Sequence, residues 1–209
     1  MSLMTEWGYE LTAVDTLADL ITADEFNALT ANKYSGDVRI APEIKAVSAA
    51  VRNFCGWHVA PSLACKVSEA LLYGNGILKR IGSDLLVQLP TRFLTSITSI
   101  TVGGVSYPTD YRAQSNGLLH VFDVVFDGLD RKSVVEIAYV AGLAHTDAIK
   151  ELVANQVTHA LASSYGVTSE SAGGMSITYN AGWVNGSKAT ALSDDAKDIL
   201  TPYMVRGVF

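Results

Sequence analysis

Residues 52–61, RNFCGWHVAP, constrain the fold more than any other stretch, because they close an amphipathic helix and open an extended segment within ten residues. Upstream, Pro42 suits a first helical turn. Ile44, Val47, Val51 and Phe54 then recur at helical spacing, which predicts a helix over residues 41–55 with one apolar stripe. Gly56 supplies the left-handed conformation that ends many helices, and Trp57, Val59 and Pro61 favour extended backbone with large side chains to bury. A helical architecture therefore gives way to a β architecture at this point.

The rest of the chain follows that division. Thr22-Ala23-Asp24-Glu25 has the form of a capping box, in which the Thr and Glu side chains satisfy each other's backbone donors, and predicts a short helix to about Leu29. From Leu63 to about Tyr139 the period changes to that of strands. Runs 85–89, 97–102 and 133–139 are rich in β-branched residues, with turn signals at Gly74-Asn75-Gly76, Gly103-Gly104, Ser115-Asn116-Gly117 and Asp127-Gly128. Antiparallel hairpins are expected at those turns, with Pro90 and Pro108 at strand ends.

Helical spacing returns after Gly142. Thr146 can cap a long helix whose face carries Ile149, Leu152, Val153, Gln156, Val157, Ala160 and Leu161. Ser193 caps a short last helix with an acidic first turn. The expected class is α+β. Residues 21–62 and 143–209 form a helical domain, residues 63–142 an inserted antiparallel β module, and residues 1–20 an N-terminal segment, flexible or in part added ahead of Met4.

Composition narrows the function classes. At 49% apolar the chain has a real core, and at 17% charged it falls below the roughly 25% of ordinary soluble domains, which favours coverage of its surface by other subunits. A net charge of −6 with no long basic run argues against gripping nucleic acid. The most apolar stretch, residues 134–144, is too short to span a bilayer and contains Glu136, so no membrane role is expected. Two cysteines, Cys55 and Cys65, are too few for a disulfide scaffold; both read as small buried residues, and synthesis in the cytoplasm is expected.

Residues 167–188 are rich in Gly and Ser yet carry Met175, Ile177, Tyr179, Trp183 and Val184. Together with Tyr203, Met204, Arg206, Val208 and Phe209 of the terminus, they form the candidate interface. The competing reading is ordinary core and frayed ends.

The order of these pieces resembles the bacteriophage head-tail connector, or adaptor, family. The resemblance rests on the Thr-x-x-Glu short helix, the CGWHVAP turn, LLVQLPTRFLTSITSITVGG, VEIAYVAGL before the long helix and YGVTSESAGGMSITYNAG after it, and it runs from about residue 20 to 200. It implies a helical adaptor core and a virion protein without a catalytic step or cofactor. Such a protein forms a ring, dodecameric when assembled, that docks under the portal protein and continues the DNA channel towards a tail or head-completion protein. DNA would pass through without sequence-specific binding, and an acidic lumen would repel its phosphates. The inserted β module is larger than a minimal all-helical adaptor needs.

Other chemistry has little support in the sequence. His58, His120, His145 and His159 lack metal-ligand spacing. Gly74-Asn75-Gly76 has Lys79 where a dinucleotide fingerprint has its third Gly, and no phosphate loop or nucleophile elbow occurs. Asp194, Asp195 and Asp198 are accounted for by capping and a solvated face. His58 is expected to pack beside Trp57. Two rival readings are a tail-completion or terminator protein, and an enzyme or small-ligand binder that uses the β module.

Overall fold

The computed structural model describes residues 2–12, 14–71, 78–129, 133–162, 169–172, 175–178 and 192–205, with only the backbone course at 169–172 and 175–178. The chain is α+β and divides into two compact units. The first comprises Met1–Leu17, Cys55–Ala144 and Tyr203–Phe209; the second comprises Ala18–Phe54 and His145–Pro202.

The first unit is built on two antiparallel sheets. Strands β1 (Ser2–Met4), β2 (Glu10–Thr12), β3 (Leu63–Ala70), β6 (Leu94–Val102), β7 (Val105–Ser106) and β10 (Val134–Ala141) form a six-stranded sheet in the order β1-β2-β3-β10-β6-β7. The four-stranded sheet runs β4-β5-β9-β8, from β4 (Leu78–Ile81), β5 (Asp84–Gln88), β8 (Tyr111–Ala113) and β9 (Leu118–Val121). In β10 strict alternation buries Val135, Ile137, Tyr139 and Ala141, as a strand with one core face requires. Burial of Val135 or Ile137 contributes about 1.5–3 kcal/mol each. Cys65 and Val67 of β3, Ile100 and Val102 of β6, and Leu85, Val87, Leu119 and Val121 of the smaller sheet are buried as well.

Several expectations need correcting here. The antiparallel β module is divided between two sheets. The turn expected at Gly74-Asn75-Gly76 lies outside the described residues, and the strands on either side of it, β3 and β4, belong to different sheets and do not pair with each other. Asp127-Gly128 likewise joins different sheets, linking β9 to β10, although Gly128 does take a positive φ of 81°. The hairpins at Gly103-Gly104 and Asn116-Gly117 are present. Residues 1–20, expected as an N-terminal segment flexible or in part added, instead supply β1 and β2 and bury Tyr9 and Leu11, so the larger sheet extends beyond residues 63–142.

The second unit is mainly helical. Helix α1 (Ala23–Leu29) starts at the expected capping box, with Glu25 N–H donating to Thr22 Oγ1 at 3.2 Å and Thr22 N–H to Glu25 Oε2 at 2.8 Å. Helix α2 (Ile40–Cys55) buries Ile40, Ile44, Val47 and Val51, but Phe54 is only half-buried, while Ser48 and Arg52 are buried. Those two polar residues hold the segment ahead of α1: Ser48 Oγ accepts from Leu20 N–H at 3.0 Å, and Arg52 donates to the Ala18 carbonyl at 2.5 Å.

Helix α3 (Asp147–Ala162) buries Ile149, Leu152, Val153, Gln156, Val157 and Leu161 as its spacing predicts; Ala160 is half-buried, and Ala154 is buried in addition. Helix α4 (Asp194–Leu200) starts on its Ser193 cap. Strands β11 (Ser169–Ala172) and β12 (Met175–Thr178) pair antiparallel within the Gly- and Ser-rich stretch 167–188.

Candidate functional site

In the first unit the CGWHVAP turn is a hub. Gly56 has a φ of 75°, as a helix-ending glycine should. Trp57 is fully buried, with its ring stacked on Phe93 at 6.2 Å and edge-on to His58 at 5.3 Å. Its indole N–H reaches past the rings to donate to the Tyr203 carbonyl at 2.7 Å, and Val205 N–H donates to the Cys55 carbonyl at 2.9 Å. The root of the C-terminal tail is thus held on the turn by two hydrogen bonds.

His58 lies beneath, fully buried. Its Nε2 is 3.0 Å from the Ala141 carbonyl, which can only accept, so Nε2 carries a proton. In the neutral ring Nδ1 then accepts from the Tyr9 hydroxyl at 2.8 Å, while the same hydroxyl accepts from His58 N–H at 2.9 Å. One histidine therefore joins the N-terminal segment to the end of β10. Val59 has a φ of 64°, uncommon for a β-branched residue, and Ala60 N–H donates back to the His58 carbonyl at 2.7 Å to close a tight three-residue turn. Leu143 N–H donates to the Val59 carbonyl at 2.9 Å. Gly142 has no room for a side chain: a Cβ there would meet the Pro61 carbonyl oxygen at 2.4 Å.

Nearby thiols are inert by environment. Burial pushes Cys55 and Cys65 up to about 12, and Tyr139 is raised well above its ordinary value by the same cause. Nucleophilic chemistry at these groups is disfavoured.

In the second unit, Lys150 on α3 donates to Glu25 of the α1 capping box at 2.5 Å. The Lys150 hydrogen bond, with those of Thr22, lowers the Glu25 carboxyl to about 2. Gln156 holds α4 through both ends of its amide, donating to Ser193 Oγ at 3.0 Å and accepting from Ser193 N–H at 3.2 Å. Beside this contact an open groove of about 370 Å³ is lined by Asn155, His159, Asp195 and Ile199, with Ile199 54% exposed. Among the described residues, no group of three or more His, Cys, Asp or Glu side chains converges as metal ligands would. No helix of the described residues is long and apolar enough to cross a membrane.

Of the candidate interface residues, Tyr203 and Met204 are half-buried, and the Tyr203 ring lies 5.7 Å from Phe93. Met175 and Ile177 sit on β12 opposite Ala172 and Glu170. Tyr179, Trp183, Val184, Arg206, Val208 and Phe209 lie outside the described residues. Sequence reasoning missed Tyr9 and Phe93 as partners of the turn, since neither their spacing nor their chemistry signals so distant a contact.

No curated protein matches the chain. The family model for head completion proteins matches residues 19–204, which include all of the second unit but Ala18 and most of the first. The chain belongs to the head completion protein family, a family of bacteriophage structural proteins.

Proposed function

We propose that this head completion protein assembles into a ring, dodecameric in the virion, that seats on the portal protein and carries the DNA channel on towards the tail. The observation that carries the reading is the family match across both units. The low charge content supports subunit contacts, and the net charge of −6 suits a conduit that must not hold DNA. The Lys150–Glu25 and Gln156–Ser193 contacts each tie one element of the protein to another, as a structural building block requires. The C-terminal tail, rooted on Trp57, is the segment proposed to reach a neighbour, with Tyr203, Met204, Arg206, Val208 and Phe209 as its contact residues; Met175, Ile177, Tyr179, Trp183 and Val184 would serve the same end.

The test is co-sedimentation of the full chain with purified portal rings and, separately, with tail tubes. Binding to portal rings supports the proposal. Binding to tail tubes alone assigns the chain to the tail-completion reading, and binding to neither overturns both.

A further inference from the structure

We infer that β12 of one copy adds as a further strand to the open edge of β6 in the neighbouring copy, forming the repeating contact of the ring; the inference rests on the ring reading above. Strand β6 pairs with β10 along one side, but β7 covers only Thr101 and Val102 on the other. Beyond β7, outward hydrogen bonds are made by the Ile100 carbonyl, accepting from Tyr107 N–H at 2.9 Å, and by Leu94 N–H, donating to the Ser115 carbonyl at 2.8 Å. Between those points residues 95–99 have no strand on their outer side among the described residues. Thr95, Ser96, Thr98 and Ser99 are exposed. Natural sheets guard such edges with Lys or Pro, and residues 95–99 contain neither.

The donor is a hairpin that needs a partner. Strands β11 and β12 form a two-stranded sheet by themselves among the described residues, and a lone hairpin is at best marginal in water. Of its two strands β11 carries Glu170, whereas β12 is uncharged. Strand β12 also repeats the tripeptide of its target: Ser176-Ile177-Thr178 matches Ser96-Ile97-Thr98. Both strands therefore offer the same β-branched alternation to a pairing in which main-chain bonds supply affinity and alternate side chains supply register.

Register shifts in β6 between the partners of Ala138/Tyr139 and of Val140/Ala141 bend this edge, so it suits a short strand such as β12 better than a long one. A ring also requires donor and acceptor to be different surfaces of one chain. Here β6 belongs to the first unit and β12 to the second.

Cross-linking tests this in the full-length protein, because native Cys55 and Cys65 are buried and do not compete. One preparation carries Thr98→Cys and a second, differently tagged, carries Ser176→Cys or Thr178→Cys. The two are mixed with portal rings and oxidised. The expected result is a disulfide dimer carrying both tags, on the order of tenfold more abundant than dimers carrying one tag, since a disulfide demands Cβ atoms about 4 Å apart. Thr98→Pro, at the residue passed over in pairing with β10, should raise the concentration for half-assembly by about tenfold while leaving the fold intact by circular dichroism. Rings by electron microscopy without the mixed disulfide overturn the strand addition and leave the ring reading standing. Absence of both rings and disulfide overturns the two together.

Discussion

The two units are held by different kinds of contact. In the helical unit, beside the hydrogen bonds of buried Ser48 and Arg52, two fastenings begin at local caps: Thr22 with Glu25, and Ser193 with Ala196, each extended by one long-range partner, Lys150 in the first case and Gln156 in the second. In the β unit the fastenings at the turn join residues far apart in sequence, with Tyr9 to His58 and His58 to Ala141 buried and Trp57 to Tyr203 partly buried. Partly exposed caps tolerate a lost partner because water replaces it, whereas a buried network left half-satisfied retains the full desolvation penalty. The β unit should therefore be the brittle one.

The largest break is expected at Trp57. Trp57→Ala removes a fully buried indole and the donor to Tyr203, and should destabilise by about 3–5 kcal/mol in urea unfolding of the full chain. Next is Gly142→Ala, where φ is +128° and the new Cβ meets the Pro61 and Ser62 backbone. A loss of about 2–4 kcal/mol is expected, seen as a lower thermal midpoint. A change of less than 1 kcal/mol at either position would show that the β unit is not brittle.

Glu25→Gln probes the other side of the comparison. In the folded protein the Glu25 carboxyl is lowered from 4.5 to about 2, so its contribution is complete above pH 4.5 and is lost as the pH falls towards 2. Because the Glu25 side chain is 40% exposed, solvent screening reduces that contribution to about 1 kcal/mol. The variant should lose that amount at pH 7 and show a flatter decline on acidification. The smallest effect belongs to the cysteines: with both thiols buried and pushed up to about 12, a maleimide at pH 8 should label neither until denaturant is added.

The same contrast explains what could be read from sequence. Thr22, Glu25 and Ser193 act within three residues of themselves, so their spacing was enough to place α1 and α4. The stripe of α3 and the alternation in β10 were legible for the same reason. Sheet membership was not: nothing local distinguishes a strand run that continues as a hairpin from one that crosses to another sheet, as β3 and β4 show. The hub at Trp57 was visible as a helix end with bulky residues, and the packing of His58 on Trp57 followed from adjacency. Its partners Tyr9, Phe93 and Tyr203 arrive by tertiary folding from residues as much as 146 positions away, beyond any periodicity. The candidate interface is legible as apolar residues in a polar stretch, and β12 adds a second signal, a strand paired on one side only among the described residues, that composition alone does not carry.

The central claim is that this chain is a subunit made to be covered by its own copies. Light scattering of the full-length protein across a range of concentrations, alone and with portal rings, tests it most directly. The account expects a discrete assembly with a mass near twelve times 22.3 kDa, formed alone at high concentration or on the portal template. A particle that stays at 22.3 kDa under every condition, and leaves the portal mass unchanged, would contradict it.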